Sequence, residues 1–198
     1  DLPWRSTVNP YHIWLSEIIL QQTRVDQGLP YYLKFIDTFP VVADLANADE
    51  DLVLKLWQGL GYYSRARNLQ FSAKLILSEF GGNFPDNHAD ILKLKGVGSY
   101  TAAAISSFSF GLPFAVLDGN VIRLLSRVYG IQTPFDTTAG KKQFQKLAQE
   151  LLDKKNPAEY NQAIMEFGAL QCVPKSPKCN DCPIVNDCIA FNTNTVSL

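Results

Sequence analysis

Apolar residues recur at helical spacing along most of this chain. HIWLSEIILQQ and DLVLKLWQGL both carry the pattern, and SRARNLQFSAKLILSEF places Leu69, Ala73 and Ile76 on one face before the helix stop at Gly81-Gly82. Further helical stretches are HADILKLKG, SYTAAAISSFSF, NVIRLLSRVYG, AGKKQFQKLAQELLDK and PAEYNQAIMEFGALQC. No sustained alternation of period two separates them, so we predict a nearly all-α chain of about nine or ten helices.

Bulk properties restrict the class of protein. The chain has 198 residues and is 46% hydrophobic, enough for one large domain or two small lobes, with Gly111-Leu112-Pro113 as the candidate break. No run of eighteen apolar residues occurs, so no membrane span is expected. The start, DLPWRSTVNP, lacks a signal-peptide pattern and an initiator Met, which indicates a trimmed chain. Because the net charge is −1, any binding of nucleic acid must use local basic spots.

Four cysteines occur close together, with the spacing C-x6-C-x2-C-x5-C. They are Cys172, Cys179, Cys182 and Cys188. A secreted domain held by disulfides would spread its cysteines across the fold, so this clustering indicates a metal or cluster site in a reducing compartment. One close pair with two outlying thiols suits a compact 4Fe–4S cluster, and a four-cysteine zinc site is the alternative.

The segment LKGVGSYTAAAI, residues 94 to 105, has the pattern of a helix–hairpin–helix. One helix ends at Gly96, Gly96-Val97-Gly98 form the turn, and the next helix starts at Ser99. Glycines permit a tight turn and leave amide N–H groups uncovered, and the positive end of the following helix adds to their attraction for phosphate. The alternative is an ordinary corner between two helices that needs glycine for packing.

Two carboxylates stand out for their surroundings, and Glu17 is the first. It interrupts an apolar run, with Ile13, Trp14, Leu20 and Gln21 as its helical neighbours. An acid on such a face loses water, which favours its protonated form and suits a proton donor. The alternative is a side chain that reaches solvent at the edge of the stripe.

Asp118 is the second carboxylate. It follows AVL and precedes GNVIRLLSRV, the position of a helix N-cap, where backbone N–H groups keep a carboxylate ionised. The alternative is that it only caps. One acid and one anion together are the pattern of an enzyme that cleaves a glycosidic bond.

These motifs together resemble the helix–hairpin–helix DNA glycosylases, the superfamily of endonuclease III. Within it, WLSEIILQQT, GLGYYSRARNL and LDGNVIRLLSR are similar to the MutY-type adenine DNA glycosylases. The resemblance runs from PWR at the start to Cys188. It implies base-excision repair in which adenine opposite 8-oxoguanine or guanine is flipped out of the duplex and removed by hydrolysis of its N-glycosidic bond.

The resemblance also implies a two-lobed all-α fold. A six-helix barrel is expected at about residues 9 to 112, and a second helical lobe at about residues 1 to 8 and 113 to 198, with the 4Fe–4S cluster loop at 172 to 188. Double-stranded DNA containing the mispair would bind across the cleft between the lobes. We expect a monomer with an intracellular, cytoplasmic location (nucleoid-associated if bacterial) and no membrane partner.

Residue roles follow from the same resemblance. Glu17 would protonate N7 of adenine, Asp118 would stabilise the cationic sugar, and Tyr100 and Asn120 would position these groups. Relatives similar to endonuclease III carry a lysine where this chain has Tyr100, as a Schiff-base nucleophile that also nicks the strand. Because a tyrosine cannot form that imine, a monofunctional glycosylase without strong AP-lyase activity is expected.

The resemblance implies two further groups of residues. The DNA-binding set is Gln22, Thr23, Leu60, Gly61, Tyr62, Gly96, Val97, Gly98, Lys175 and Lys178, of which Gln22 and Tyr62 would insert into the duplex. The adenine pocket would use Trp4, Arg5, Leu20, Val25 and Gln162. Arg65 and Arg67 are additional candidates for contact with phosphate.

The chain departs from the family at its end, and two other activities compete. MutY-type proteins usually continue past the cluster into a domain that helps to recognise 8-oxoguanine, whereas this sequence stops at FNTNTVSL. Either the chain is cut here or this member lacks the domain, so strong preference for 8-oxoguanine stays open. The start also lacks an upstream helix of the second lobe. A thymine–DNA mismatch glycosylase also carries the tyrosine, although QQT and YY favour adenine. A DNA-binding module with a redox-sensing cluster would bind without releasing a base.

Overall fold

The computed structural model describes residues 2 to 196, and every regular element among them is helical. The α-helices are α1 Pro10–Ile19, α2 Val25–Thr38, α3 Val42–Asn47, α4 Glu50–Trp57, α5 Ser64–Phe80, α6 His88–Ile91, α7 Ser99–Phe110, α8 Gly119–Tyr129, α9 Thr138–Leu151, α10 Pro157–Leu170 and α11 Ile189–Asn192. Short 3₁₀ helices occupy Pro3–Arg5, Cys179–Asp181 and Val185–Asp187. The prediction of an all-α fold is therefore confirmed.

Capping residues explain where several helices begin. Asn9 Oδ1 accepts a hydrogen bond from the Tyr11 amide at 3.0 Å, and Pro10 occupies the first position of α1. Thr137 Oγ1 accepts from the Gly140 amide at 3.0 Å at the start of α9. A side-chain cap of this kind stabilises a helix by about 1 kcal/mol.

The chain between α1 and α4 contains two helices that the sequence pattern did not indicate, α2 and α3. Gly28 and Pro30, residue types typical of turns, lie inside α2. Tyr32 and Phe35 on the same helix are nevertheless buried, and Phe35 packs edge-to-face on Trp57 with ring centroids 5.7 Å apart. Burial of these large side chains outweighs the low local propensity.

The helices that precede Gly111 form one compact unit with its own core. Helix α1 contacts α2, α5 and α7, and most of its residues are buried, including Trp14, Leu15 and Ile19 at 0% exposure. Full burial of a large apolar side chain contributes about 1.5–3 kcal/mol. The helix that carries Glu17 is therefore held firmly by packing.

The second compact unit begins at Leu112. Its core contains Val121, Leu125 and Phe144 from α8 and α9. The buried Asn161 of α10 donates to the Phe114 carbonyl at 2.8 Å and accepts from the Val116 amide at 3.2 Å. These two bonds fix the extended segment that leads to Asp118.

The N-terminal residues have a defined place in the structure. Trp4 packs edge-to-face on Tyr32 of α2, with ring centroids 5.0 Å apart, and contacts the core of the first unit. The assignment of residues 1 to 8 to the second lobe stays a prediction. No helix within residues 2 to 196 has both the length and the apolar character needed to cross a membrane.

Candidate functional site

Glu17 lies near the end of α1, on a helix that is otherwise almost wholly apolar. Its own side chain is partly exposed, whereas its chain neighbours Ser16 and Ile18 are buried at 1% and 2%. Ile13 and Trp14, one turn earlier, are also buried. Glu17 thus lies at the edge of a packed apolar surface, which is the position of the alternative interpretation, and its role as a proton donor stays a prediction.

Asp118 is the N-cap of α8, as its position in the sequence indicated. Its Oδ1 accepts from the Val121 amide at 2.7 Å. Its Oδ2 accepts from Asn120 Nδ2 at 2.8 Å. Both carboxylate oxygens therefore have a donor, and the positive end of α8 favours the negative charge.

Arg123 continues this hydrogen-bond chain and was not among the predicted site residues. Its Nη2 donates to Asn120 Oδ1 at 2.9 Å and to the Gly168 carbonyl at 2.6 Å, and its Nε donates to the Cys172 carbonyl at 2.8 Å. The sequence could have indicated this contact, because Asn120 and Arg123 are three residues apart on one helix and side chains at that spacing are neighbours. The amide that orients Asp118 is thereby fixed to the end of α10 and to the first cysteine.

The close approach of α8 and α10 depends on Gly168. A Cβ at this position would lie 2.7 Å from the Asn120 carbonyl oxygen, closer than a side chain tolerates. Gly168 therefore permits the close contact in which Arg123 of α8 donates to Asn120 on its own helix and also to the end of α10.

The hairpin has the turn that its glycines indicated, but the helix before it, α6, ends at Ile91 and not at Gly96. Gly96 has φ of 84°, a conformation that glycine adopts most easily. Val97 is 9% exposed and anchors the turn, with its amide donating to the Leu94 carbonyl at 3.1 Å. At Gly98, the N-cap of α7, an added Cβ would meet nothing within 4 Å. The first turn of α7, which carries the half-buried Tyr100, thus begins beside open space.

Two further loops of the first unit contain the residues predicted to insert into DNA. Gln22 is exposed with φ of 54°, and Tyr62 is 67% exposed with φ of 47°. Thr23 and Gly61 are partly exposed, whereas Leu60 is only 6% exposed and belongs to the core. The Leu60 side chain is therefore an anchor for its loop, and Tyr62 is its exposed group.

The first of these loops is tied to the hairpin. Gln21 Nε2 donates to the Gly96 carbonyl at 3.3 Å, across 75 positions of sequence. Ser72 Oγ of α5 donates to the neighbouring Lys95 carbonyl at 3.2 Å. Loop 21–23, α5 and the hairpin therefore support one another within the first unit.

The two arginines of α5 differ, and one prediction about them is wrong. Arg65 is 8% exposed, and its guanidinium donates to carbonyl groups inside the protein, so it is not a free phosphate contact. Burial lowers the pKa of Arg65, and the nearby Tyr62 opposes that shift. Arg67 is exposed and pairs with Glu50 at 3.3 Å, and its contact with phosphate stays a prediction.

The four cysteines line a common cavity together with Arg127. Arg127 Nη1 lies 3.4 Å from Cys172 Sγ, and Cys188 Sγ donates to the Arg127 carbonyl at 3.5 Å. Burial raises the pKa of the Cys179 thiol, and the other three thiols raise it further, whereas Arg127 lowers it. Within the described residues, no three His, Cys, Asp or Glu side chains are placed to hold a single metal ion.

The remaining predicted residues occupy different parts of the structure. Lys175 and Lys178 are exposed on the loop between the first two cysteines, which Gln171 closes by donating to the Lys178 carbonyl at 2.5 Å. In the first unit, Trp4, Leu20, Val25 and Arg5 are at least partly exposed. Gln162 is partly exposed on α10 in the second unit.

A family model now accounts for the larger part of this chain. Residues 15 to 154 match the HhH-GPD superfamily base excision DNA repair protein. The chain belongs to this superfamily. The match includes Glu17, the hairpin and Asp118, so these features lie within the region that defines the superfamily.

Named members of the superfamily align with nearly the whole chain. The adenine DNA glycosylase of Buchnera aphidicola subsp. Baizongia pistaciae is 43% identical over 197 residues, which cover 98% of this chain and 54% of the relative. The human adenine DNA glycosylase is 42% identical over 199 residues, covering 96% of this chain and 36% of the relative. This chain therefore spans about half the length, or less, of these superfamily members.

Two solved structures agree with the fold. A thermostable thymine-DNA glycosylase superposes with a TM-score of 0.90 at 30% identity, covering 98% of this chain and 89% of that one. An endonuclease III in a non-covalent DNA complex superposes with a TM-score of 0.81 at 21% identity, covering 94% and 86%. The second likeness shows the fold alone, and it confirms the expected helix–hairpin–helix glycosylase fold.

Proposed function

We propose that this chain is the catalytic region of an adenine DNA glycosylase that removes adenine opposite 8-oxoguanine or guanine. The observation that carries the proposal is the identity of 42–43% to adenine DNA glycosylases across 96–98% of the chain. The identity to the thymine-DNA glycosylase is lower, at 30%. A DNA substrate also implies an intracellular protein.

Glu17 is the proposed proton donor. A purine leaves its sugar more readily once its ring is protonated, because protonation stabilises the departing base. We propose that Glu17, directly or through water, protonates N7 of an adenine flipped out of the duplex. Its place on a rigid apolar helix supports this role, since the buried neighbours Ser16 and Ile18 fix the backbone that carries the acid.

Asp118 is the proposed anion beneath the sugar. When the N-glycosidic bond breaks, positive charge develops on the deoxyribose, and a fixed carboxylate stabilises that charge. The bonds from Val121 and Asn120 hold both oxygens in place before the reaction. Water then completes the hydrolysis. The expectation that Glu17 and Asp118 face one cleft stays a prediction.

The second part of the proposal is that the enzyme removes the base without nicking the strand, and this part depends on Tyr100. No lysine occupies the first turn of α7, SYT, where relatives similar to endonuclease III carry their Schiff-base nucleophile. A phenol forms no imine with the abasic sugar, so the product is an intact strand with an abasic site. We assign Tyr100 and Asn120 to positioning.

We propose that Cys172, Cys179, Cys182 and Cys188 hold a 4Fe–4S cluster. Four thiols that line one cavity are the donor set of such clusters, which supports the proposal. When bound, the cluster supplies positive iron that neutralises the thiolates. The cysteines then fix the loop that presents Lys175 and Lys178 to phosphate. A metal assay distinguishes this cluster from a four-cysteine zinc site. Iron and acid-labile sulfide are expected in the purified protein, and zinc alone would contradict the assignment.

The proposed DNA contacts use three loops of the first unit and one of the second. The turn Gly96-Val97-Gly98 and the first amides of α7 would bind phosphate, and Gln22 and Tyr62 would enter the duplex. The exposure of Gln22 and Tyr62 and the open space at Gly98 support these roles. Trp4, Arg5, Leu20, Val25 and Gln162 remain the proposed adenine pocket.

The decisive experiment measures strand cleavage of three duplexes, each with and without alkali. They contain adenine opposite 8-oxoguanine, adenine opposite guanine, and thymine opposite guanine. We expect cleavage at adenine only after alkali, because the enzyme leaves an abasic site without nicking the strand. Glu17→Gln should bind the same duplexes and release no base.

Three outcomes would redirect the proposal. Release of thymine instead of adenine would identify a thymine mismatch glycosylase, which the similarity to that structure makes the main competitor. Cleavage without alkali would contradict the monofunctional assignment. Binding of all duplexes without release of any base would identify a DNA-binding module.

A further inference from the structure

Arg65 has an unusual environment for a charged side chain. It lies in the first turn of α5 and is 8% exposed. Arginine is rarely buried unless its donors are satisfied, because removing the guanidinium from water is costly. The hydrogen-bond partners of Arg65 therefore indicate which parts of the structure the buried guanidinium stabilises.

The guanidinium joins two separate loops. Its Nη1 donates to the Ile19 carbonyl at 2.9 Å, at the end of α1, and also to the Gln21 carbonyl and, at 3.3 Å, to Thr23 Oγ1. Its Nη2 donates to the Leu60 carbonyl at 3.1 Å and to the Gly61 carbonyl at 3.4 Å. One rigid fork thus connects loop 21–23 with loop 60–62.

Each loop contains a residue in a backbone conformation that its side chain disfavours. Gln22 and Tyr62 both have positive φ, at 54° and 47°. Residues other than glycine seldom adopt this conformation unless their surroundings impose it. In both loops, Arg65 binds the groups next to that residue: the Gln21 carbonyl and Thr23 hydroxyl around Gln22, and the Gly61 carbonyl before Tyr62.

Aromatic rings hold the guanidinium itself in place. Its Cζ lies 5.2 Å from the ring centroid of Trp57 and 5.7 Å from that of Tyr62. Trp57 is fully buried and donates its Nε1 to the Gly61 carbonyl at 2.9 Å. The position of Arg65 is therefore fixed by the core on one side and by the exposed Tyr62 on the other.

We propose that Arg65 is a positioning residue that holds loops 21–23 and 60–62 in the conformations that present Gln22 and Tyr62 to the DNA duplex. The DNA part of this inference rests on the proposed function, whereas the effect on the two loops does not. This positioning role replaces the phosphate contact predicted for Arg65, since the guanidinium donates to groups in the protein interior.

The test compares Arg65→Met and Arg65→Lys with the matched control Lys74→Met. Lys74 is exposed on the same helix, so its replacement removes one positive charge from α5 without touching either loop. Hydrogen–deuterium exchange of the DNA-free proteins, well below their unfolding temperatures, measures the loops directly. We expect peptides covering 18–24 and 58–64 to exchange at least about tenfold faster in both Arg65 variants, with the other helices unchanged.

Arg65→Lys distinguishes geometry from charge. An ammonium group has one nitrogen and cannot span both loops as the two Nη atoms do, so lysine should fail to restore protection. Lys74→Met should match the wild type. Full protection in Arg65→Lys, or unchanged exchange of both loops in Arg65→Met, would overturn the proposal.

Salt dependence of DNA binding distinguishes positioning from contact with phosphate. A lost phosphate contact lowers the slope of log K against log salt by about 0.9. We expect Arg65→Met to keep the slope of the Lys74→Met control while its rate of adenine release under single-turnover conditions falls at least about tenfold. A reduced slope with intact loops would restore the phosphate interpretation. If the wild type releases no base, the proposed function fails, and the exchange experiment still decides the role of Arg65.

Discussion

In the first unit, packing anchors the helix that carries Glu17, and in the second unit two hydrogen bonds orient Asp118 itself. Glu17 projects from a helix whose neighbouring side chains, including Ile18 and Trp14, are buried in a large core. Asp118 sits at a helix terminus, where Val121 and Asn120 each donate to one of its oxygens. The proposed tasks of the two residues also differ, because a proton donor must be able to lose and regain its proton, whereas an anion must remain charged.

The largest effect is expected for Glu17→Gln. Glutamine has nearly the same shape and keeps the packing of α1, but it cannot donate a proton as an acid. Single-turnover release of adenine should fall at least about 100-fold, with unchanged affinity for the duplex and unchanged thermal stability. A variant that releases adenine at the normal rate would remove Glu17 from the mechanism.

Asp118→Asn tests whether the second carboxylate does more than cap its helix. Asparagine caps a helix about as well as aspartate does and keeps the bond from the Val121 amide, but its NH2 group cannot accept from Asn120. The unfolding temperature should therefore change less than in Asp118→Ala. Release of adenine should nevertheless fall by about 100-fold, because the negative charge is lost. Asp118→Ala provides the contrast, since it should also destabilise the protein by about 1 kcal/mol. Normal activity in Asp118→Asn would support a capping role alone.

Arg123→Met should produce a smaller loss and sharpen the comparison. Arg123 touches Asn120 but not Asp118, so its removal loosens the residue that orients the carboxylate. We expect about a tenfold lower rate of adenine release, which corresponds to about 1.4 kcal/mol. Asp118→Asn combined with Arg123→Met should be no slower than Asp118→Asn alone. Additive losses would show that Arg123 acts independently of Asp118.

The effect expected for Gly168→Ala is on stability, and its effect on the rate of adenine release should be the smallest of the four. The new methyl group would press against the Asn120 carbonyl at 2.7 Å, and the resulting shift should cost about 1–3 kcal/mol. Gly119→Ala is the matched control, because an added Cβ there meets nothing within 4 Å. Equal unfolding temperatures for the two variants would contradict the close approach of α8 and α10.

The features that sequence could predict are local ones. The N-cap position of Asp118 follows from the residues around it, the hairpin follows from Gly96 and Gly98, and the apolar face of α1 follows from its periodicity. Each depends on neighbours within one or two turns of helix, which the sequence displays directly.

The features that sequence did not predict depend on distant contacts. Arg65 was expected to meet phosphate, yet four of its hydrogen-bond partners lie 42 to 47 positions away, around Gln21 and Thr23. Arg123 reaches the Cys172 carbonyl across 49 positions. Helix α2 forms in spite of Pro30 because its aromatic residues are buried against parts of the core that are distant in sequence. Single-sequence patterns carry no information about such partners.

The central claim is that Glu17 releases the base by protonating N7 of adenine. The most direct test replaces that atom: a duplex carrying 7-deazaadenine, which has carbon at this position, is compared with the adenine duplex under single-turnover conditions. The account predicts that the wild-type protein binds both duplexes with similar affinity and releases only adenine. Release of 7-deazaadenine at a comparable rate would contradict it.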